Sequence, residues 1–223
     1  MIAPRWSHLQ AVLFDLDGTL IDSVADLAAA ANAMRVDRGL AALPLAQYRP
    51  HGGSGARGML GQAFDIAPGQ PNYAELSREF LDRYEALMFD NTRPFAGIEA
   101  ELGGLSAAGL AWGIVTNKAE RFVLPLATAL GLDAGAIVGG DTTGHTKPHP
   151  APLLEAASRL GVAPECCLYV GDDERDILAG RAAGMATAVA AWGYLGQSGQ
   201  FAHWGADLAL AAPEDLLKAL GLA

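Results

Sequence analysis

Four short stretches of this 223-residue chain carry side chains that could do chemistry together. Asp15-Leu-Asp17-Gly-Thr19 follows a short apolar run, Ala11–Phe14. Thr116-Asn117 closes a second apolar run at residues 111–116. Lys147-Pro148 stands just ahead of a helical stretch that begins at Pro150. Gly171-Asp172-Asp173-Glu174-Arg175-Asp176 follows a run at residues 166–170. A lone aspartate at the end of a strand ordinarily serves as a turn or cap residue, and that reading serves Ser23, Asp173 or Asp176 taken singly. It does not account for an Asp-x-Asp, a Thr, a Lys and an acidic loop on separate strand ends. Carboxylates that converge repel one another, so the set calls for a cation. Oxygen ligands from two or three carboxylates suit Mg²⁺, which keeps some waters and often takes a substrate phosphate oxygen.

The elements that must position these groups follow from the apolar pattern. Strands are expected at Ala11–Phe14, 111–116, Ala136–Val138, 166–170, 187–191 and Leu208–Leu210, alternating with helices near 98–108, 120–130, 150–160, 177–183 and 213–220. That alternation specifies an α/β fold, a doubly wound, Rossmann-like parallel sheet with ligands at the carboxyl ends of its strands. The rhythm breaks after the first strand and resumes near residue 110. Residues 20–93 therefore read as an inserted α-helical cap domain, leaving 1–19 and 94–223 as the core domain. Ser23-Val-Ala-Asp26 has the form of a capping box variant, and its Ala-rich helix runs to about Gly39. Asn72-Tyr-Ala-Glu75 opens another helix, with Leu76, Phe80, Leu81, Tyr84, Leu87 and Met88 on one face. Residues 18–22 and 92–97 would be the linkers.

Bulk properties narrow the function. Fifteen basic against 25 acidic residues give a net charge of −10. An acidic chain is a poor partner for nucleic acid or an anionic membrane. An anionic substrate must then be held by local positive charge. No stretch approaches the roughly 18 apolar residues of a membrane span, and residues 1–10 lack the pattern of a secretory signal. A cytoplasmic location and a monomer or homodimer are expected. Cys166 and Cys167, being adjacent, read as buried small residues of a strand in a reducing compartment.

The four stretches, in order, resemble the four motifs of the haloacid dehalogenase superfamily. Asp15-Leu-Asp17-Gly-Thr-Leu-Ile-Asp-Ser is similar to the first, Ile114-Val-Thr116-Asn-Lys to the second, Lys147-Pro-His-Pro to the third and Gly171-Asp172-Asp-Glu-Arg-Asp176 to the fourth. The insertion resembles the helical cap of the phosphoglycolate phosphatase-like subgroup. The resemblance implies a phosphoric monoester hydrolase with an aspartyl-phosphate intermediate. Asp15 would be the nucleophile, and Asp17 would protonate the leaving alcohol and then activate water. Thr116 and the Asn117 amide would bind phosphate oxygens, and Lys147 would neutralise charge shared by the phosphoryl group and Asp15. Mg²⁺ would rest on the Asp15 carboxylate, the Asp17 backbone carbonyl and Asp172, with Asp173 and Asp176 as outer or water-mediated ligands.

Between residues 20 and 95 there is no lysine, which excludes the phosphonate hydrolases with their cap lysine. Asp17 excludes the dehalogenases. A sugar phosphomutase shares all four motifs and stays as an alternative. A receiver-like phospho-acceptor module stays as one of another class, although its acceptor follows the third strand and it has no helical insertion. Gly53-Ser-Gly55-Ala-Arg-Gly58 fits the dinucleotide fingerprint, but no strand precedes it. It also looks like the family's cap segment that contacts substrate, so Arg57, His51 and Ser54 become candidate substrate-binding residues. The substrate is expected to be a small phosphorylated metabolite. 2-Phosphoglycolate is favoured, and N-acetylmuramic acid 6-phosphate is the alternative, since Phe80-Leu-Asp-Arg-Tyr, Trp192-Gly-Tyr and Trp204-Gly-Ala-Asp resemble phosphatases of that compound. Both substrates carry a carboxylate, which one cap arginine could read.

Overall fold

A computed structural model describes residues 6–196 and 198–223. The expectation about a signal segment at residues 1–10 lies partly outside them. The strands are β1 (Ala11–Phe14), β2 (Ile21–Asp22), β3 (Arg93–Pro94), β4 (Ala111–Val115), β5 (Ala136–Val138), β6 (Cys167–Gly171), β7 (Ala186–Ala190) and β8 (Leu208–Leu210). The helices are α1 (Val24–Asp37), α2 (Leu45–Tyr48), α3 (Gly55–Phe64), α4 (Tyr73–Leu87), α5 (Ile98–Ala107), α6 (Glu120–Ala129), α7 (Ala151–Leu160), α8 (Glu174–Ala182) and α9 (Asp215–Leu220). Six strands form one sheet in the order β5-β4-β1-β6-β7-β8, every pair parallel.

A parallel strand covered on both faces must be apolar at every position. All four residues of β1 are buried. Val12 and Phe14 join one apolar layer with Leu105 of α5 and Phe122 of α6. Ala11 and Leu13 join the opposite layer with Leu153 of α7 and Ala179 of α8. The doubly wound α/β expectation is met, and β1 lies in the middle of it. Among the described residues no helix is long and apolar enough to cross a membrane.

Between β2 and β3 the chain is helical. Helices α1, α3 and α4 pack on one another around Met34, Met59, Leu60 and Phe80, each fully buried. Their interior is continuous through Val24 and Leu20 with the layer holding Phe14. Tyr48 donates to Asn32 Oδ1 at 3.0 Å, and the same amide brackets the backbone of Leu43, tying the loop after α1 to that helix.

Several local expectations are corrected. Ser23 sits at the N-cap of α1, but its hydroxyl donates to Asp17 Oδ1 at 2.5 Å and caps nothing; an ionised carboxylate is the stronger acceptor. Asn72 precedes α4 with φ 65° and likewise makes no side-chain cap. Cys166 is not in a strand. Pro164 starts a 3-10 turn that ends at Cys166, which is only half-buried, while Cys167 opens β6. Strands β2 and β3 pair antiparallel on the expected linkers, Ile21 with Pro94 and Asp22 with Arg93. Two-residue strands are too short to show in an alternation pattern.

One buried carboxylate ties the first turn of α1 to the second linker. Asp26 of α1 is fully buried and accepts from Asn91 N at 3.0 Å, Asn91 Nδ2 at 2.9 Å, Thr92 N at 2.8 Å and Thr92 Oγ1 at 2.7 Å. Removing the acceptor strands these donors in a dry place. Asp26→Ala should therefore cost about 3 kcal/mol of stability, read as a lower denaturation midpoint in urea. A loss below about 0.5 kcal/mol would show that this carboxylate does not hold the second linker.

Candidate active site

The sheet order brings the predicted residues together. Asp15 follows β1, Thr116 follows β4, and Asp172 follows β6, so all three lie on adjacent strand ends. Asp15 N donates to Val170 O at 2.9 Å, and its Oδ1 accepts from Leu16 N at 2.7 Å. Lys147, from the loop before α7, reaches Asp15 Oδ1 at 2.8 Å and Asp176 Oδ1 at 2.7 Å. Its ammonium also donates to Tyr169 Oη at 2.8 Å and Val115 O at 3.1 Å.

Asp172 is held differently. It accepts from Thr19 Oγ1 at 3.2 Å and from Tyr194 N at 2.8 Å, with no cationic side chain paired to it among the described residues. Gly18 lets the first loop close over this carboxylate. Its φ is 86°, and a Cβ there would lie 2.3 Å from Asp172 Oδ2. A Cβ on Gly171 would lie 2.4 Å from Asp176 Cγ.

Oxygens of Asp15, Asp172 and Asp176 all fall within 4.8 Å of one another, and all three residues are buried. Burial raises the Asp15 carboxyl from 3.8 to about 6; Lys147 opposes the rise and Asp176 adds to it. Burial also pushes Asp172 well above the usual carboxylate range, with Asp15 and Asp176 adding their repulsion. For Lys147 burial works against the charge, but Asp15 and Asp176 outweigh it and hold the pKa above its ordinary value. Three carboxylates face one ammonium, which leaves two negative charges uncompensated. That deficit, carried on oxygen donors, fits a divalent cation such as Mg²⁺.

Asp17 belongs to a separate pair. Its Oδ2 meets Lys118 Nζ at 3.0 Å, and its Oδ1 takes the Ser23 hydroxyl. Its carboxylate thus stands outside the three-carboxylate cluster, while Asp176, expected as an outer ligand, stands inside it. Asp173 makes the reciprocal capping box of α8 with Asp176 and pairs with Arg175 at 2.7 Å. Asn117 is near but differently occupied: its side-chain amide brackets the Lys147 backbone, accepting from Lys147 N at 2.9 Å and donating to Lys147 O at 3.1 Å. Thr116 is buried and lines the cavity.

That cavity has a volume of about 310 Å³ and runs from Asp15 and Asp17 to α3 and α4. Ser54 lines it, but His51 and Arg57 do not. Arg57 is exposed on α3. Met59 is buried there, and two helical steps of about 100° each turn Arg57 to the opposite side. Three further residues complete the site. Tyr169 is buried at it, Lys118 meets Asp17 with its side chain 8% exposed, and Arg175 donates to Gly53 O at 2.7 Å. Lys118 adjoined a recognised motif, and the scarcity of lysine could have marked it. Tyr169 carried no signal, because a tyrosine in a buried strand reads as core.

The model of the haloacid dehalogenase-like hydrolases matches residues 12–190, and the chain belongs to that family. Its relatives place it with the phosphatases. It is 49% identical over 209 residues to a phosphoglycolate phosphatase of Xanthomonas campestris pv. campestris, covering 93% of this chain and 94% of that one. It is 42% identical over 215 residues to an N-acetylmuramic acid 6-phosphate phosphatase of Pseudomonas aeruginosa, covering 96% and 95%. The crystal structure of a predicted phosphoglycolate phosphatase from Haemophilus somnus superposes with a TM-score of 0.83 at 29% identity, covering 95% and 98%.

The charge deficit makes cation binding depend on pH. A carboxylate whose folded pKa is raised costs stability when ionised, so the cost grows as pH rises through about 6 for Asp15. A cation offsets that cost, and below this pH it must displace protons. Millimolar Mg²⁺ should raise Tm clearly at about pH 7.5 and much less at about pH 5. Equal shifts at both pH values in thermal scans would contradict the deficit.

Proposed function

We propose that this phosphatase hydrolyses 2-phosphoglycolate to glycolate and phosphate, with Mg²⁺ and an aspartyl-phosphate on Asp15. The observation that carries the reading is the division of the site into two charge systems. The cluster of Asp15, Asp172, Asp176 and Lys147 suits a phosphoryl group with its cation. The neighbouring Asp17–Lys118 pair lies outside that cluster.

Asp15 Oδ1 is engaged by Lys147 and Leu16 N, so Oδ2 is the oxygen that attacks phosphorus. The P–O ester bond breaks as the acyl-phosphate forms, and Asp17 gives a proton to the leaving oxygen. Water then attacks phosphorus, Asp17 takes its proton, and Asp15 is regenerated. Lys147 neutralises charge on Asp15 and the phosphoryl oxygens throughout. Thr116 Oγ1 and the Asn117 backbone N–H would hold two of those oxygens. Mg²⁺ would rest on Asp15, Asp172 and the Asp17 backbone carbonyl, supplying positive charge for the transferring group; Asp176, already paired with Lys147, supports it.

Residues 20–93 act in this reading as a cap, with residues 18–22 and 92–97 as the linkers on which it moves, and closure keeps bulk water from the site while the phosphoryl group transfers to Asp15. Arg175 supports that role, since it spans from Asp173 to Gly53 O. The small metabolite is supported by cavity volume: about 310 Å³ lies at the lower end for ligand sites. The N-acetylmuramic acid 6-phosphate reading rests on the Pseudomonas aeruginosa relative and on apolar walls from Phe80, Leu81 and Phe122 that a sugar ring could lie against.

Asp15→Asn should abolish phosphate release without unfolding the protein, and near-wild-type release would remove Asp15 as nucleophile. Asp17→Asn should slow turnover by roughly two to four orders of magnitude; an unchanged kcat would deny it the acid–base role. Side by side, kcat/KM for 2-phosphoglycolate should exceed that for N-acetylmuramic acid 6-phosphate by about two orders of magnitude, nearly 3 kcal/mol of transition-state preference. The reverse ratio would exchange the two substrates.

A further inference from the structure

Tyr84 of α4 is 1% exposed, and its hydroxyl proton has no acceptor among the described residues. A buried donor without an acceptor is costly, and in a ligand site it points to a group that arrives with the ligand. Tyr84 lines the cavity. Beside it is the Lys118 ammonium, 4.6 Å from the Tyr84 ring centroid and 3.0 Å from Asp17 Oδ2. An ammonium has three protons and no lone pair. It cannot accept the Tyr84 proton, Asp17 takes one of its own, and the Tyr84 oxygen can accept another. The Tyr84 proton and one ammonium proton are thus left to be accepted at one place.

The other cations on the cavity wall are committed. Lys147 contacts Asp15, Asp176, Tyr169 and Val115. Arg175 is held by Asp173 and Gly53. Arg121 faces Glu85 at 3.7 Å with its side chain half exposed. The surrounding walls are apolar, from Phe80, Leu81 and Phe122. Two donors in apolar surroundings suit an acceptor-only anionic group, a carboxylate.

We propose that Lys118 and Tyr84 form the subsite that reads the carboxylate of the leaving group. The position of Lys118 fixes where that carboxylate must be. Asp17 has to touch the ester oxygen, and Lys118 is one hydrogen bond away from Asp17. A carboxylate two bonds from the ester oxygen, as in 2-phosphoglycolate, reaches both. The lactyl carboxylate of N-acetylmuramic acid 6-phosphate lies across the sugar ring from the ester and does not. The subsite rests on the 2-phosphoglycolate reading and replaces the exposed Arg57 as the carboxylate reader.

The test compares kcat/KM for 2-phosphoglycolate with that for ethyl phosphate, which has the same heavy-atom chain up to the carboxylate, in wild type, Lys118→Met and Tyr84→Phe. Wild type should prefer 2-phosphoglycolate strongly. Lys118→Met should cut that preference by roughly 10- to 100-fold, the range for a charged hydrogen bond. Tyr84→Phe should cut it by about 5-fold without lowering Tm, since its hydroxyl proton has no acceptor to lose. This second variant answers the case in which Lys118→Met fails to fold around Asp17. A wild-type preference that survives in both variants overturns the subsite and leaves the substrate reading standing. Equal losses on both substrates also overturn it, since Lys118 would then act only through Asp17. No wild-type preference overturns the substrate reading and the subsite together.

Discussion

Burying Asp15, Asp172 and Asp176 with their oxygens inside 4.8 Å would be prohibitive without positive charge among them. Lys147 supplies the first part by bridging Asp15 and Asp176 at 2.8 and 2.7 Å. Much of the local structure serves that bridge. The Asn117 amide fixes the Lys147 backbone, and Tyr169 and the Val115 carbonyl share its one remaining proton. The sheet order follows the same demand, since only a central β1 flanked by β4 and β6 brings Asp15 between Thr116 and Asp172. With all three ionised, two negative charges remain unmatched, and that residue of charge fits a cation.

The helical segment is joined to this centre by few, well-placed contacts. Tyr194 follows β7 and donates its N–H to Asp172, while its hydroxyl meets Ser23 N at 2.9 Å and Asp22 Oδ1 at 3.1 Å. Arg49 pairs with Asp22 at 2.9 Å and lies over the Tyr194 ring. The carboxylate that needs a cation and the point where the helices leave the sheet therefore share one tyrosine. The start of the helical segment is tied in this way to Asp172 through direct hydrogen bonds.

The parallel sheet was legible because a strand buried on both faces leaves a run such as Ala11–Phe14 with no polar residue, and three of the six runs ended in a group of chemical interest. The residues of the phosphoryl site were legible for the same reason: their carboxylates make no sense singly. What the sequence hid depends on direction. Ser23 and Asn72 have the composition of caps, yet the Ser23 hydroxyl turns to Asp17 and Asn72 adopts positive φ. Arg57 has the right charge in the right loop, but the phase of α3 turns it outward. Tyr169 and Tyr84 read as core residues, and they are core residues whose hydroxyls face a polar centre.

The misplacement of Arg57 has a physical consequence for recognition. A chain with net charge −10 repels anionic substrates at long range, so attraction must come from cations close to the bound group. An arginine on the outer face of α3 acts across water, where its field is weak and screened by salt. Lys118 sits under the Tyr84 ring with its side chain 8% exposed, where the same charge interacts far more strongly. The cost of burying it is offset by Asp17, so the ammonium is held in the cavity before substrate arrives. Apolar walls from α4 do not oppose anion binding here. They exclude the water that would otherwise weaken two donors aimed at one carboxylate.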